Sequence, residues 1–475
     1  MSSRNENLAK NTLLFAIGNL GSKLLQVILV PYYTRCMTDA QFGTADLLTS
    51  IVTLLMPIFS LTIYEAVFRY AMEKDYDKQA VFSSGIVVSV IGAAVLCLGA
   101  GVVSLIHPVE YIWLVVAYSV AGFMRSLFSQ FTRAVDKTFL FTIDNVLLTF
   151  FVFVFNITFL SGLKLGVTGY MLGYTLANVV SCVFLFIFLG KQYRRFSTKN
   201  ITSKLMKEML MFAIPLIPNS ICWWISSFID RLVITSVEGE AANGIYAAAH
   251  KIPSLLTMVV TIFFQAWQIS ANQEFAKKDI TDFYTEIHSF LFSTVTLISS
   301  VLILLCKPIT SVFLGKDFYS AWELIPLMLF GMTCFSFAMF LGSIYSANKK
   351  TTMALVTNLV AVVISLSVNI LLVAYFKTGV IGSAIALCCS YLAFWITRVF
   401  DTARIVKIHY PTVKVIFVMV TLLADALIYT FVDNAVIVYP FAVCTTIIIA
   451  VLFWKDYISL VKFGLSLIKK FVKRS

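Results

Sequence analysis

Uncharged apolar stretches about as long as a bilayer is thick recur along this chain, separated by short polar breaks. Residues 86–106, IVVSVIGAAVLCLGAGVVSLI, carry no charge at all. A helix of about 20 such residues crosses the hydrocarbon core, and in lipid only helices and closed barrels satisfy their own backbone hydrogen bonds. A barrel would alternate apolar and polar residues along strands of about ten; these runs are continuous. Composition agrees, with 60% of 475 residues apolar and 13% charged, about half the usual charged share. A cytosolic enzyme, a secreted disulfide scaffold and a disordered chain are excluded. An all-α polytopic membrane protein is left.

Fourteen spans are expected, near 11–33, 42–66, 81–106, 111–132, 140–162, 167–190, 208–233, 243–269, 287–306, 320–344, 352–375, 378–400, 413–432 and 435–454. An even number returns the chain to its starting side. Of 36 Lys and Arg residues, 27 fall at the N-terminus, in loops after even spans (Arg398 and Lys414, at span edges, counted with their loop) and in the C-terminal tail, against five in loops after odd spans. Positive residues stay inside, so a cell-membrane protein with both termini cytoplasmic is expected. The first span follows only Arg4 and Lys10 and lacks a small-residue cleavage site, so it reads as uncleaved. The tail, 456–475, is basic with helical apolar spacing, an amphipathic helix for the inner leaflet.

The chain also repeats itself. Phe15-Ala16-Ile17 matches Phe212-Ala213-Ile214, and QFGTADLLTSIVTLLMPIF (Gln41 to Phe59) parallels NGIYAAAHKIPSLLTMVVTIF (Asn243 to Phe263), at offsets of 197 and 201 residues. Six spans per half make the halves parallel repeats, an alternating-access layout. The expected organisation is a six-helix lobe over 1–195, a second over 196–405, a central cavity between them, two extra helices over 406–455 and the tail.

Four cations, Lys23, Arg125, Arg231 and Lys251, lie inside predicted spans besides the span-edge Arg398 and Lys414. A charge at mid-bilayer is costly and usually faces a cavity or a partner. Asn19, Lys23 and Gln26 share one helical face, as do Tyr118, Arg125 and Ser129. Polar stripes run through Asn219, Trp223, Ser226 and Asp230, and through His250, Ser254, Thr257, Thr261, Gln265 and Gln268. Smaller ones join Tyr170, Tyr174, Asn178 and Ser181, and Asn358, Ser365 and Asn369. Asp230 and Asp425 are the clearest deep anions, so positive charge is in surplus. Such an interior suits an anionic, sugar-like ligand, because phosphate takes charge-assisted hydrogen bonds from Arg and Lys.

Plainer readings stand beside these. Glu65 and Arg69 are expected to form an i,i+4 ion pair. Asp230 and Arg231 fit a helix-end pair as well as a ligand contact, and the stripes fit interhelical hydrogen bonding. Pro57, Pro215, Pro218 and Pro253 are expected to kink helices. The nine Cys residues show no metal or redox spacing and read as structural. No nucleotide, metalloprotease or hydrolase motif occurs. No enzyme activity, cofactor, metal or nucleic-acid partner is expected.

IPLIPNSICWWISSFIDRLVITSVEGEAANGIYAAAHKIPSLLTMVVTIFFQAWQISANQE (Ile214 to Glu274) resembles the Wzx-type polysaccharide flippases of the multidrug/oligosaccharidyl-lipid/polysaccharide exporter superfamily. VPYYTRCMTDAQFGTADLLTSIVTLLMPIFSLTIYEAVFRYAME (Val30 to Glu73) resembles their first-half counterpart. The resemblance implies twelve helices in two lobes plus two more. It implies transfer of an undecaprenyl-diphosphate-linked oligosaccharide to the outer leaflet for capsule, O-antigen or exopolysaccharide synthesis, beside a polymerase and glycosyltransferases of that pathway. Lys23, Arg125, Lys251 and Arg231 are then the candidates for the diphosphate. Trp223, Trp224, Tyr246, His250, Gln265 and Asn219 are those for sugar, and Asp230 and Asp425 those for ion coupling. A lipid II flippase, a drug/cation antiporter of the same superfamily, a non-transporting scaffold and an integral-membrane glycosyltransferase stay open as alternatives.

Overall fold

The computed structural model describes residues 29–73, 75–190, 201–274, 280–348, 351–409, 411–454 and 457. Among them there is no strand. The helices are α1 (Asp39–Phe59), α2 (Ile63–Met72), α3 (Lys78–Ile106), α4 (Ile112–Ala134), α5 (Thr138–Asn156), α6 (Gly166–Phe188), α7 (Ser203–Ala213), α8 (Leu216–Glu238), α9 (Glu240–Glu274), α10 (Ile280–Leu304), α11 (Cys306–Phe313), α12 (Ile325–Ala347), α13 (Thr351–Asn369), α14 (Val380–Thr402), α15 (Thr412–Phe431) and α16 (Ala435–Leu452). α5 and α13 each end in a π-helical turn, Ile157–Gly162 and Ile370–Tyr375. Eleven described helical segments are long and apolar enough to cross a membrane, and they overlie predicted spans two to six and nine to fourteen. α8 and α9 overlie the seventh and eighth. The first predicted span lies mostly outside the described residues, as does nearly all of the basic tail.

The chain divides into two compact units, Met1–Phe228 and Ile229–Ser475, with the boundary inside α8. In the first unit α4 is the hub, packing on α1, α2, α3, α5 and α6. Its core includes Val67, Phe82, Leu127, Phe131 and Met209, with the Phe82 and Phe131 rings stacked 4.2 Å apart. In the second unit the hub is α12, which packs on α9, α10, α13, α14 and α15. α12 is apolar all round because it is covered all round: 83% of its span window is buried. α3 is apolar for the opposite reason. Leu98, Leu105 and Ile106 are 71%, 88% and 77% exposed, a surface that is tolerable in lipid and not in water.

Helix starts follow ordinary capping chemistry. Thr38 and Gln41 form a reciprocal capping box on α1, and Asp77, Thr202 and Asn434 cap α3, α7 and α16 with side-chain oxygens. Two expectations are corrected here. The predicted span 42–66 is not one helix: Ser60 to Thr62 break it, with Leu61 and Thr62 at φ 50° and 48°. Pro57 sits one turn earlier, and its carbonyl accepts from Thr62 N–H. The Thr62 hydroxyl donates to the Ala213 carbonyl at 2.7 Å, tying the break to the end of α7. Gly92 of α3 makes the crossing possible, since a Cβ there would lie 1.8 Å from the Phe59 carbonyl oxygen. The predicted span 208–233 is also divided, α7 ending at Ala213 and α8 starting at Leu216, with Pro215 between.

The Glu65–Arg69 pair is a third correction. Arg69 lies 3.7 Å from Glu73 and stacks over the Phe212 ring at 4.5 Å. Glu65 instead accepts from Gln130 of α4 at 3.4 Å. Nearby, Tyr76 donates to the Glu208 carboxylate at 2.9 Å, and that hydrogen bond pushes the phenol up to about 12.

Candidate functional site

α4 places Arg125 between α5 and α6. Its Nη2 donates to Asp144 Oδ2 and to Asn145 Oδ1, each at 2.8 Å, and its Nε donates to Ser181 Oγ at 3.0 Å. Ser181 donates in turn to the other Asp144 oxygen. Asp144 is fully buried, and 15% of the Arg125 side chain is exposed. That exposed part faces a cavity of about 220 Å³ inside the first unit. Tyr118, Ser126, Thr149, Tyr174 and Asn178 line it with Arg125. A chain of phenols leads to it: ring centroids are 5.0 Å apart for Tyr33 and Tyr170, 4.9 Å for Tyr170 and Tyr174, and 5.6 Å for Tyr118 and Tyr174. The stripe read on 170–181 is therefore split between the cavity wall and the guanidinium.

The second unit buries its charges differently. Asp230 of α8 accepts from Tyr246 Oη at 2.7 Å, from Ser365 Oγ at 3.0 Å and from Asn369 Nδ2 at 2.7 Å. Asn369 Oδ1 accepts in turn from Ser383 of α14 at 2.6 Å. Asp230 is thus an interior acceptor joining α8, α9 and α13. Arg398 of α14 is 3% exposed. It donates to the Ala338 carbonyl at 2.6 Å, to Thr357 Oγ1 at 3.1 Å and to Asn358 Oδ1 at 3.2 Å, and it covers the Phe394 ring at 4.1 Å. Gly342 leaves room for it, because a Cβ there would stand 2.4 Å from its Nη1. α13 serves both charges, with Thr357 and Asn358 at one and Ser365 and Asn369 at the other, about 10 Å or more apart along the helix.

The remaining predicted residues are placed as follows. Trp224 is half-buried and donates from Nε1 to the Ser50 carbonyl at 2.6 Å. Tyr246 is fully buried, its hydroxyl on Asp230. Arg231, His250 and Lys251 are partly exposed, with the His250 ring 6.3 Å from that of Tyr246. Ser254, Thr257 and Thr261 turn their hydroxyls back on their own helix, to the carbonyls of Lys251, Ser254 and Thr257. Thr257 and Thr261 also flank a cavity of about 190 Å³ with Phe335, Ser336 and Met339. Asp425 of α15 is 1% exposed. Lys23 and the side chains of Asn219, Trp223 and Gln265 lie outside the described residues.

Two site residues escaped the sequence reading. Asp144 sits beside Asn145, nearly two turns into α5, and carries the same signal of an intramembrane carboxylate that marks Asp230. Arg398 lies one turn from the end of α14, where a basic residue reads as a loop charge. No group of three or more His, Cys, Asp or Glu able to hold a metal occurs among the described residues.

The profile of the family described as "Polysaccharide biosynthesis protein" matches residues 8–268, more than half of the chain, and that of MatE matches 215–371. No curated protein matches. Among solved structures, the lipid II flippase MurJ in an inward closed conformation superposes with a TM-score of 0.70 at 15% identity, covering 94% of this chain and 100% of its own. An inward-facing multidrug resistance MATE family transporter of the MOP superfamily gives 0.68 at 14%, covering 82% and 98%. A MOP superfamily transporter from Pyrococcus furiosus, described as having a binding pocket of reversed polarity, gives 0.59 at 13%, covering 84% and 95%. At these identities the structures speak for the fold, and the profile speaks for the family. With its apolar helices and buried, hydrogen-bonded charges, this chain belongs to the polysaccharide biosynthesis protein family and is a multi-pass membrane transporter of the polysaccharide/MATE flippase type.

Proposed function

We propose that this transporter flips an undecaprenyl-diphosphate-linked oligosaccharide from the cytoplasmic to the outer leaflet, supplying surface polysaccharide synthesis. The observation that carries the reading is Arg125, a guanidinium on the wall of a cavity where phenols, hydroxyls and an amide stand among apolar side chains. A diphosphate accepts charge-assisted hydrogen bonds from such a group. Arg125 is already engaged by Asp144, so the diphosphate competes with that carboxylate rather than filling a vacant site. In this reading Lys23, Lys251 and Arg231 are further diphosphate contacts. Asn219, Trp223, Trp224, His250 and Gln265 contact sugar, with Tyr246 reached only if its Asp230 bond opens. Asp230 is the first candidate for ion coupling. Fourteen spans, two six-helix lobes with two added helices, cytoplasmic termini, and a polymerase and glycosyltransferases as pathway neighbours belong to the same proposal.

Transport proceeds by alternating access, with the polyprenyl tail left in lipid. Carrying about two negative charges outward against 100 mV, inside negative, is favourable by roughly 4–5 kcal/mol. The test is a leaflet-resolved flipping assay in liposomes with a fluorescent undecaprenyl-diphosphate oligosaccharide. Wild type is expected to flip it and Arg125→Ala to fail while remaining inserted. Flipping undiminished in Arg125→Ala overturns the site; no flipping by wild type overturns the substrate.

A lipid II substrate is the second reading. It is favoured by the MurJ superposition, which takes in 94% of this chain where the MATE transporters take in 82–85%. Lipid II offered in the same assay separates the two.

A further inference from the structure

Asp425 differs from the other buried carboxylates. Asp144 and Asp230 have both oxygens hydrogen-bonded, whereas neither oxygen of Asp425 has a hydrogen-bond partner among the described residues, at 1% exposure. Its own helix surrounds it with buried Val418, Leu422, Ala426 and Tyr429. α15 packs on α10, α12, α16 and the 3₁₀ turn Lys316–Glu323. The titratable groups there are Asp282, Tyr284, Glu286 and His288 on α10, Cys334 and Tyr345 on α12, Tyr439 and Cys444 on α16, and Lys316, Asp317, Tyr319 and Glu323 on the turn. None hydrogen-bonds to Asp425. The cation beside this end of α15 is Lys307, whose ammonium lies 3.9 Å from the Trp322 ring centroid and 5.9 Å from that of Tyr429. It makes no ion pair among the described residues.

An ionised carboxylate in such a place carries a desolvation cost that no hydrogen bond among the described residues offsets. A metal cation would need several oxygen ligands around it, and no metal-holding group of His, Cys, Asp or Glu occurs among the described residues. A proton needs only the carboxyl itself. As a packing element the acid is worse than leucine, because its polar atoms are buried and unmatched. We propose that Asp425 is a proton-binding site of the transport cycle, loaded in the described conformation and emptied when the helices around α15 separate. One proton is bound from water and one returned to water per cycle, with no electron transfer. The proposal rests on the chain being a transporter and is independent of which headgroup it carries.

The first experiment is an infrared difference spectrum of the full chain in lipid nanodiscs, wild type minus Asp425→Asn. The carbonyl stretch of a protonated carboxylic acid is expected at neutral pH and should vanish on alkaline titration. Its absence at neutral pH overturns the proposal. Should Asp425→Asn fail to fold, carbodiimide modification of wild type mapped by peptide mass spectrometry takes its place. Modification of Asp425 at neutral pH, lost at alkaline pH, supports the site, and its absence while Asp425 remains accessible to hydrogen exchange overturns it. The second experiment is the flipping assay with and without a transmembrane pH gradient. The gradient is expected to change wild-type flipping several-fold and leave Asp425→Asn at a single rate. A variant that still responds, or a wild type that does not, overturns the coupling. A wild type that flips no lipid-linked sugar counts against the substrate reading alone and leaves the infrared result to decide the proton site.

Discussion

The first unit hydrogen-bonds its buried carboxylate to a cation; the second hydrogen-bonds Asp230 to neutral groups, with Arg231 the next residue along the helix. Arg125 and Asp144 share a 2.8 Å hydrogen bond and a serine. Asp230 is held by a phenol, a hydroxyl and an amide, and Arg398 by a carbonyl, a hydroxyl and an amide oxygen. The difference teaches where each charge is vulnerable. In a matched pair each partner's desolvation is offset by the other, so removing one strands a charge. A charge bound by neutral dipoles leaves only hydrogen-bonding groups behind when it is removed.

That contrast sets an order of effects. Arg125→Ala is expected to lower stability by about 3–5 kcal/mol, because Asp144 loses the partner that offsets its burial. Arg125→Ala with Asp144→Ala should regain much of that stability in thermal unfolding and none of the flipping. A double variant as unstable as the single would show that the pair is not the unit. Asp230→Asn should cost less, about 1–3 kcal/mol, by weakening hydrogen bonds to a charged acceptor; a loss as large as that of Arg125→Ala would erase the distinction between the units. Gly342→Ala should cost about 1–3 kcal/mol by overpacking against Arg398, and the loss should disappear when Arg398→Met is present. Arg398→Met alone is expected to cost about 1–3 kcal/mol, because the Ala338 carbonyl and the Asn358 amide oxygen lose a buried donor. Smallest of all, Glu73→Gln should change stability by less than about 0.5 kcal/mol, because both members of the Arg69–Glu73 pair are about half exposed.

The sequence reading failed most instructively at Arg69. It has a glutamate four residues away on either side, Glu65 and Glu73, and helical spacing does not choose between them. Gln130, on another helix, takes Glu65, and the end of α2 leaves Arg69 to Glu73. The stripes on 170–181 and 358–369 were legible because period 3.6 places their members on one face. Their partners were not: Ser181 meets Arg125 from 56 residues away, and Asn369 meets Asp230 from 139. The break after Phe59 was equally hidden, since hydropathy runs smoothly through Ser60 and Thr62 while the turn depends on a carbonyl-to-Gly92 contact with another helix.

By itself the sequence determined the class of fold. In lipid, backbone groups have no solvent to bond with, so long apolar runs must become helices whatever surrounds them. Charge partners answer to a different rule. A guanidinium or carboxylate inside the membrane must be matched, but any helix can supply the match, and only packing brings a particular one within hydrogen-bond reach. Tertiary structure alone therefore decided that Arg125 is paired, that Arg398 and Asp230 are held by neutral groups, and that Asp425 has no hydrogen-bond partner among the described residues.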